Sequence, residues 1–203
     1  MRQDYLLKAA RIIKDGGVVV YPTDTAYGLA VDASNIEAVK KLYAVKGRNF
    51  NKAVHVIFPS FVELNRIVKL TPAAKKLIQK MFPGPLTVVV DLKKSSGSWK
   101  MLSAGTGTLG FRMPDNKTVR ELIKVLGRPI TTTSANVSGR ATGYSVDQIR
   151  KQFQKAKLKP DYYLNDGKLK KVKPSTVVQI LGNKIRLLRE GPIPFEEIKN
   201  TIK

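Results

Sequence analysis

The 203-residue chain has no cysteine. That excludes a disulfide framework, a thiolate zinc site, an iron–sulfur cluster and cysteine-based nucleophilic catalysis. It has one histidine, His55, too few for a multi-histidine metal site, and no metal ligands are assigned from the sequence. Acidic residues are scarce, 15 Asp and Glu against 37 Lys and Arg. Long apolar runs are missing as well. None approaches the roughly 20 residues of a membrane-spanning helix, and Val18-Val19-Val20-Tyr21 is typical of the runs present, so no membrane partner is expected. The N-terminal segment MRQDYLLKAARIIKDGG interrupts its apolar residues with charge every few positions. That is the pattern of an amphipathic helix and not of a signal peptide, and it implies a cytoplasmic location.

What is present is a globular composition, 42 % hydrophobic and 26 % charged, with a net charge of +22. Such an excess favours a polyanionic partner, because lysines and arginines release counterions from phosphates. A generally basic, well-solvated surface accounts for it equally well. The excess is uneven: Arg150 to Lys173 holds nine basic residues and two acidic ones, Asp161 and Asp166.

Apolar periodicity alternates between helical and extended along the chain. The spacing predicts a first helix ending at Asp15-Gly16-Gly17, and a buried strand from Val18 to Tyr21. A helix capped by Asn35 follows, then a strand from Ala53 to Phe58, a helix opened by Thr71-Pro72 and a strand from Leu86 to Leu92. Further strands are predicted near Thr108–Arg112, Pro129–Thr133, Val177–Ile180 and Lys184–Leu188, and helices near Thr118–Leu126, Val146–Phe153 and Pro194–Ile202. No internal repeat is visible, and Lys93–Lys100 reads as a loop. The mixture predicts one α/β domain over residues 1–203, built on a mixed, twisted sheet.

General motif templates mostly fail. Gly105-Thr-Gly107-Thr-Leu-Gly110 matches the dinucleotide fingerprint by letter, but Phe111-Arg112-Met113-Pro114 continues as strand where a helix should begin. A turn feeding a strand is the better reading. There is no phosphate-binding loop of the Gly-x-x-x-x-Gly-Lys type. His55 lies in an apolar strand and reads as a core or groove-lining residue rather than a catalytic one, and nothing supports a catalytic triad.

Small polar and cationic clusters remain, each at the end of a predicted strand: Pro22-Thr23-Asp24-Thr25-Ala26-Tyr27-Gly28-Leu29, Lys46-Gly47-Arg48, Pro83-Gly84-Pro85-Leu86-Thr87, and Gly110-Phe111-Arg112-Met113-Pro114. Thr131-Thr132-Thr133-Ser134-Ala135-Asn136, Pro174-Ser175-Thr176-Val177 and Leu188-Arg189-Glu190-Gly191 complete the set. Each alone reads as a turn. Together they resemble a binding site, since ligands of open α/β sheets sit beyond strand ends and arginines with hydroxyls suit phosphates and carboxylates.

In this order, from about Gly16 to Pro192, the clusters resemble the YrdC-like (TsaC-type, short single-domain) family of threonylcarbamoyl-AMP synthases. The chain stops soon after Arg189, as the short form does. The resemblance implies an α/β fold with a twisted, mostly open mixed sheet, flanking helices and a basic concave groove. It implies a nucleotidyltransferase that forms threonylcarbamoyl-adenylate and pyrophosphate from L-threonine, bicarbonate and ATP. The product serves threonylcarbamoyladenosine formation at tRNA position 37, which implies a downstream threonylcarbamoyl transferase complex as partner. Magnesium is expected with ATP.

Carried over residue by residue, the resemblance makes Lys46, Arg48, Ser134 and Asn136 catalytic. It places Arg48, Lys52, Thr108, Ser134, Thr142 and Arg189 on ATP, and Thr25, Arg112, Thr132 and Ser175 on threonine or its carbamate. Two positions depart from the family pattern. Asn49 follows Arg48 where relatives commonly have proline, and Ile57 stands where many have a histidine that touches threonine. His55 lies two residues earlier, on the same strand face.

The residue types suit the chemistry implied. The amino-acid carboxylate, the N-carboxylate nucleophile and the phosphates repel one another, and Lys46, Arg48, Arg112 and Arg189 would screen them. Phosphorus transfer relies on positioning and charge more than on covalent protein chemistry. The competing expectation is a non-catalytic factor that binds tRNA, double-stranded RNA or the ribosome through its basic surface. A second rival is a carbamoyl-phosphate-using enzyme related to hydrogenase maturation.

Overall fold

Short polar side chains open the helices where the apolar period changes. Asn35 accepts hydrogen bonds from the backbone N–H groups of Glu37 at 3.0 Å and Ala38 at 3.2 Å, satisfying donors that the first turn leaves free. Thr71 caps its helix from Ala74 N at 3.2 Å, with Pro72 in the first turn where no donor is needed. The computed structural model describes residues 2–182 and 184–202. Its helices are α1 (Arg2–Lys14), α2 (Ile36–Lys46), α3 (Phe61–Ile67), α4 (Pro72–Met81), α5 (Gly97–Leu102), α6 (Lys117–Leu126), α7 (Val146–Phe153) and α8 (Phe195–Ile202). The strands are β1 (Val19–Tyr21), β2 (Gly28–Ala30), β3 (His55–Ile57), β4 (Leu86–Asp91), β5 (Thr108–Phe111), β6 (Ile130–Ser134), β7 (Tyr162–Tyr163), β8 (Thr176–Leu181) and β9 (Lys184–Arg189).

Among the described residues the strands form one open mixed sheet in the order β7-β1-β2-β6-β3-β5-β4-β8-β9. Antiparallel pairs dominate, with parallel pairing of β1 to β7, β3 to β5 and β4 to β8. Helices cover both faces, in line with the mixed α/β architecture expected. One face carries Val18, Val20, Leu29, Val56, Val88, Val90 and Phe111 under apolar residues of α2, α4, α5, α7 and α8. The other carries Val19, Tyr21, Ala30, Ile57 and Ile130 under Leu6, Ala9 and Ile13 of α1 and Val119, Leu122 and Leu126 of α6. Each such fully buried aliphatic side chain contributes about 1.5–3 kcal/mol of burial.

Gly105 and Gly107 adopt positive φ, at 76° and 75°, in a turn that feeds β5, as the failed dinucleotide match required. Residues 93–100 are not simply a loop. Gly97–Leu102 forms α5, held down by Trp99 stacked on Phe58 at 6.0 Å and by buried Leu102. Tertiary packing, not propensity, makes that helix. The strands β2 and β7 and the helix α3 also go beyond the sequence expectation. From β7 an irregular segment, residues 164–175, leads to β8 near the opposite edge of the sheet. No helix among the described residues is long and apolar enough to cross a membrane.

Candidate active site

The second face is not covered along its whole length. Beyond α1 and α6 the same strands expose small polar residues. Gly28 pairs with Ser134, and His55 pairs with Thr132. A cavity of about 290 Å³ opens there, lined by Thr23, Thr25 and Tyr27 from the β1–β2 turn, Arg48 and His55, and Arg112 at the end of β5. Thr132 and Ser134 of β6, Thr142, Tyr144, Val172, Ser175 and Arg189 complete its wall.

The β1–β2 turn is knit by hydroxyls. Thr23 Oγ1 donates to Ala26 O at 2.6 Å and accepts from the backbone N–H groups of Thr25 and Ala26, each at 3.2 Å. Arg112 is buried against this turn. It donates to Thr25 Oγ1 at 3.2 Å and forms an ion pair with Asp24. Its Nε, also buried, has no hydrogen-bond partner among the described residues. Buried donors are normally satisfied, so an orphan on a cavity-lining guanidinium points to an anionic ligand.

Across the cavity, Ser175 Oγ lies 2.9 Å from Thr87 Oγ1. Arg189 donates to Ser175 O through Nε at 3.0 Å and Nη2 at 2.9 Å, and to Ser175 Oγ at 3.1 Å. Arg48 donates to the carbonyls of Lys52 at 3.2 Å and Ala53 at 2.9 Å. Three arginines are thus fixed by backbone or side-chain acceptors around one opening.

The twelve residues expected at the site separate into groups. Thr25, Arg48, Arg112, Thr132, Ser134, Thr142, Ser175 and Arg189 line the cavity. Lys46 and Asn136 lie behind its wall, buried. Lys46 Nζ donates to Ser134 O at 2.5 Å, Asn136 Oδ1 at 2.6 Å and Asn136 O at 3.0 Å. Asn136 Oδ1 also accepts from Ser134 Oγ at 2.7 Å. Burial, and after it the Arg48 charge, pulls Lys46 down to about 7. Three acceptors call for three N–H bonds, so the ammonium is the form that fits this cage. Lys46 thereby joins the end of α2 to the end of β6, where Ser134 sits, and to Asn136 just beyond it. Lys52 and Thr108 are off the wall: Lys52 offers its backbone carbonyl to Tyr43 and Arg48, and Thr108 Oγ1 bonds Thr106 Oγ1 at 3.0 Å.

Wall residues not singled out from sequence include Thr23 and Tyr27, which share a motif with Thr25, and Tyr144 and Val172, for which no local signal exists. Among the described residues the wall has no carboxylate, and no group of three His, Asp or Glu could hold a metal ion. Protein-held magnesium is normally bound through one or two carboxylates. This donor set does not fit that role, so any magnesium would arrive coordinated by nucleotide phosphates.

A family profile for Sua5, YciO and YrdC, described as telomere recombination, matches residues 11–191. The chain belongs to this family. A Methanocaldococcus jannaschii protein, provisionally named threonylcarbamoyl-AMP synthase, is 40 % identical over 186 residues, 92 % of this chain and 85 % of its own. The threonylcarbamoyl-AMP synthase of Pyrococcus abyssi is 33 % identical over 96 % of this chain, which spans 56 % of that protein's length. Among solved structures, P. abyssi Sua5 complexed with L-threonine superposes with a TM-score of 0.90 at 30 % identity, covering 100 % of this chain and 58 % of that one. Escherichia coli YciO shares the fold, with a TM-score of 0.83 at 24 % identity over 98 % of this chain and 94 % of its own.

Proposed function

We propose that this chain is a threonylcarbamoyl-AMP synthase, joining L-threonine, bicarbonate and ATP into threonylcarbamoyl-adenylate and pyrophosphate. The observation that carries the reading is the set of three arginines, Arg48, Arg112 and Arg189, converging on one cavity otherwise walled by hydroxyls. The relatives named for this reaction and the threonine complex of P. abyssi Sua5 support it.

Arg112, with its free Nε beside Thr25, receives the threonine end, where Thr132 and Ser175 add hydroxyl partners. Arg48 and Arg189, with Ser134 and Thr142, receive the nucleotide. The threonyl N-carboxylate attacks the α-phosphorus of ATP in line and pyrophosphate leaves. The guanidiniums offset the charge that gathers on the phosphorus oxygens, and they are already oriented before substrate arrives. Lys46 and Asn136 serve as positioning residues that hold Ser134. Lys52 and Thr108, expected on ATP, lie off the cavity wall and have no part in this arrangement. Magnesium, if it arrives on the phosphates of ATP, would be held by the nucleotide and not by residues of this chain, and would supply charge neutralisation there. The adenylate is passed to a transferase that modifies tRNA position 37, in the cytoplasm.

Incubating the pure protein with ATP, magnesium, bicarbonate, labelled threonine and pyrophosphatase tests the reading. A labelled adenylate that requires both threonine and bicarbonate is the expected result. Folded protein that makes none, yet binds RNA with steep salt dependence, would instead be a non-catalytic RNA-binding factor. Carbamoyl-adenylate from carbamoyl phosphate without threonine would point to the hydrogenase-type reaction.

A further inference from the structure

The cavity wall is rich in groups that donate protons to hydrogen bonds and poor in groups that can take a proton. Among the described residues lining it, Arg48, Arg112 and Arg189 are permanently charged donors, Tyr27 and Tyr144 are phenols, and there is neither carboxylate nor lysine. His55 alone carries a nitrogen lone pair that is free near neutral pH.

The sheet makes room for that ring. Val56 pairs with Phe111 of β5 and Thr131 of β6, and His55 pairs directly with Thr132. Gly110 then falls beside His55 on the β5 side. A Cβ at residue 110 would lie 2.4 Å from the imidazole Cδ2 and 3.0 Å from its Nε2, so the ring occupies space that any other residue would claim. Among the described residues neither ring nitrogen has a hydrogen-bond partner, while the ring borders the cavity. The charged groups facing it are Arg189 at the end of β9, Arg112 beyond β5 and Arg48 after α2, and β6 contributes uncharged Thr132. Burial first, and then these three charges, lower His55 to about 4, so the ring is neutral when the site is empty.

We infer that His55 is a catalytic residue that accepts the proton released when the threonine amine is carboxylated. The inference rests on the synthase reading above. Threonine's ammonium and bicarbonate yield the N-carboxylate, one water and one proton. One ammonium proton passes to the imidazole and on to solvent, which frees the amine lone pair to form the N–C bond; a second leaves with the bicarbonate hydroxyl as water, and the third stays on the nitrogen. The substrate carboxylate and the triphosphate set negative charge against the three arginines, which raises the ring's proton affinity during turnover. His55 is groove-lining, as its strand position suggested, but it is more than a wall.

His55→Gln keeps a polar side chain that can hydrogen-bond but cannot take a proton. Forward synthesis from threonine, bicarbonate and ATP should fall about 100-fold, chiefly in kcat, the low end of general-base contributions. The acid limb of the forward pH profile should disappear. The reverse nucleotidyl transfer, ATP formation from purified threonylcarbamoyl-AMP and pyrophosphate, moves no amine proton and should stay near wild type. Equal losses in both directions, or an unchanged forward rate, would overturn the inference. Gly110→Ala shifts the ring without altering its chemistry and should likewise slow the forward direction more than the reverse, and equal slowing counts against His55. Wild-type protein that works in neither direction would refute the synthase reading itself.

Discussion

One face of the sheet has two ends made from the same strands, and they differ by a single pleat. At the covered end Ala30, Ile57 and Ile130 lie sealed under α1 and α6. Two residues along, Gly28, His55 and Thr132 border the cavity. Side chains on one strand face recur every second residue, so each of these strands runs from core to site in one step. The difference lies in what covers the sheet. Where the helices lie over it, apolar residues pay off in burial, and where they do not, hydroxyls and arginines meet solvent and ligand.

The comparison can be broken from either end. Arg48→Ala at the open end should produce the largest effect, a loss of turnover on the order of 100- to 1,000-fold in steady-state assays. Its melting temperature should stay close to wild type, because only two carbonyl contacts are given up. Leu122→Ala at the covered end should do the reverse. It removes a fully buried side chain and should lower stability by about 2–5 kcal/mol in urea titrations, with specific activity of the folded fraction unchanged. A large activity loss there would mean that the two ends are mechanically coupled.

A pH titration sharpens the contrast. His55 is lowered to about 4 in the folded protein, against an ordinary value near 6.5. Between those values the unfolded chain binds the extra proton and the folded chain does not. Stability therefore rises with pH through that window and is lost as pH falls through it. Urea midpoints measured from pH 4 to 7 should show this slope, and His55→Gln should flatten it. The smallest effect is expected of Thr25→Val, which removes one hydroxyl from beside Arg112. Losing one hydrogen bond is worth about 0.5–1.5 kcal/mol, and the threonine KM should rise more than the ATP KM. Equal rises in both would move Thr25 away from the amino-acid end.

How much of this could be read from the chain itself differs between the two ends. The apolar runs at Val18–Tyr21 and Leu86–Leu92 mark β1 and β4, because a buried strand advertises itself by hydrophobicity. β2, three residues long, only begins at the last glycine of the Thr-Asp-Thr-Ala-Tyr-Gly motif, and it exists because β1 and β6 hold it on either side. α5 depends on Trp99 finding Phe58, forty-one residues distant in the sequence. At the site, Thr25, Arg112, Ser134 and Ser175 are legible as hydroxyls and cations at strand ends. That Lys46 turns inward to a cage of three oxygens, or that Tyr144 and Val172 come to the wall, depends on long-range packing with no local trace. The pairing of Gly110 with His55 is likewise visible only once β3 and β5 are known to be neighbours.

The passage from β7 to β8 is a matter of slack. Those strands sit seven positions apart in the sheet order, and neighbouring strands are about 4.8 Å apart, so a flat sheet would set the ends roughly 34 Å from each other. The residues from Tyr163 to Thr176 reach at most about 45 Å when fully stretched, and the tether of Tyr27 Oη to Gly167 O at 2.7 Å leaves less to spare. The identity of the lysines along this crossing is therefore free to drift, while its length is not. Losing three or four residues there would draw the belt tight across the cavity mouth or pull β7 off its edge, whereas added residues would merely hang into solvent.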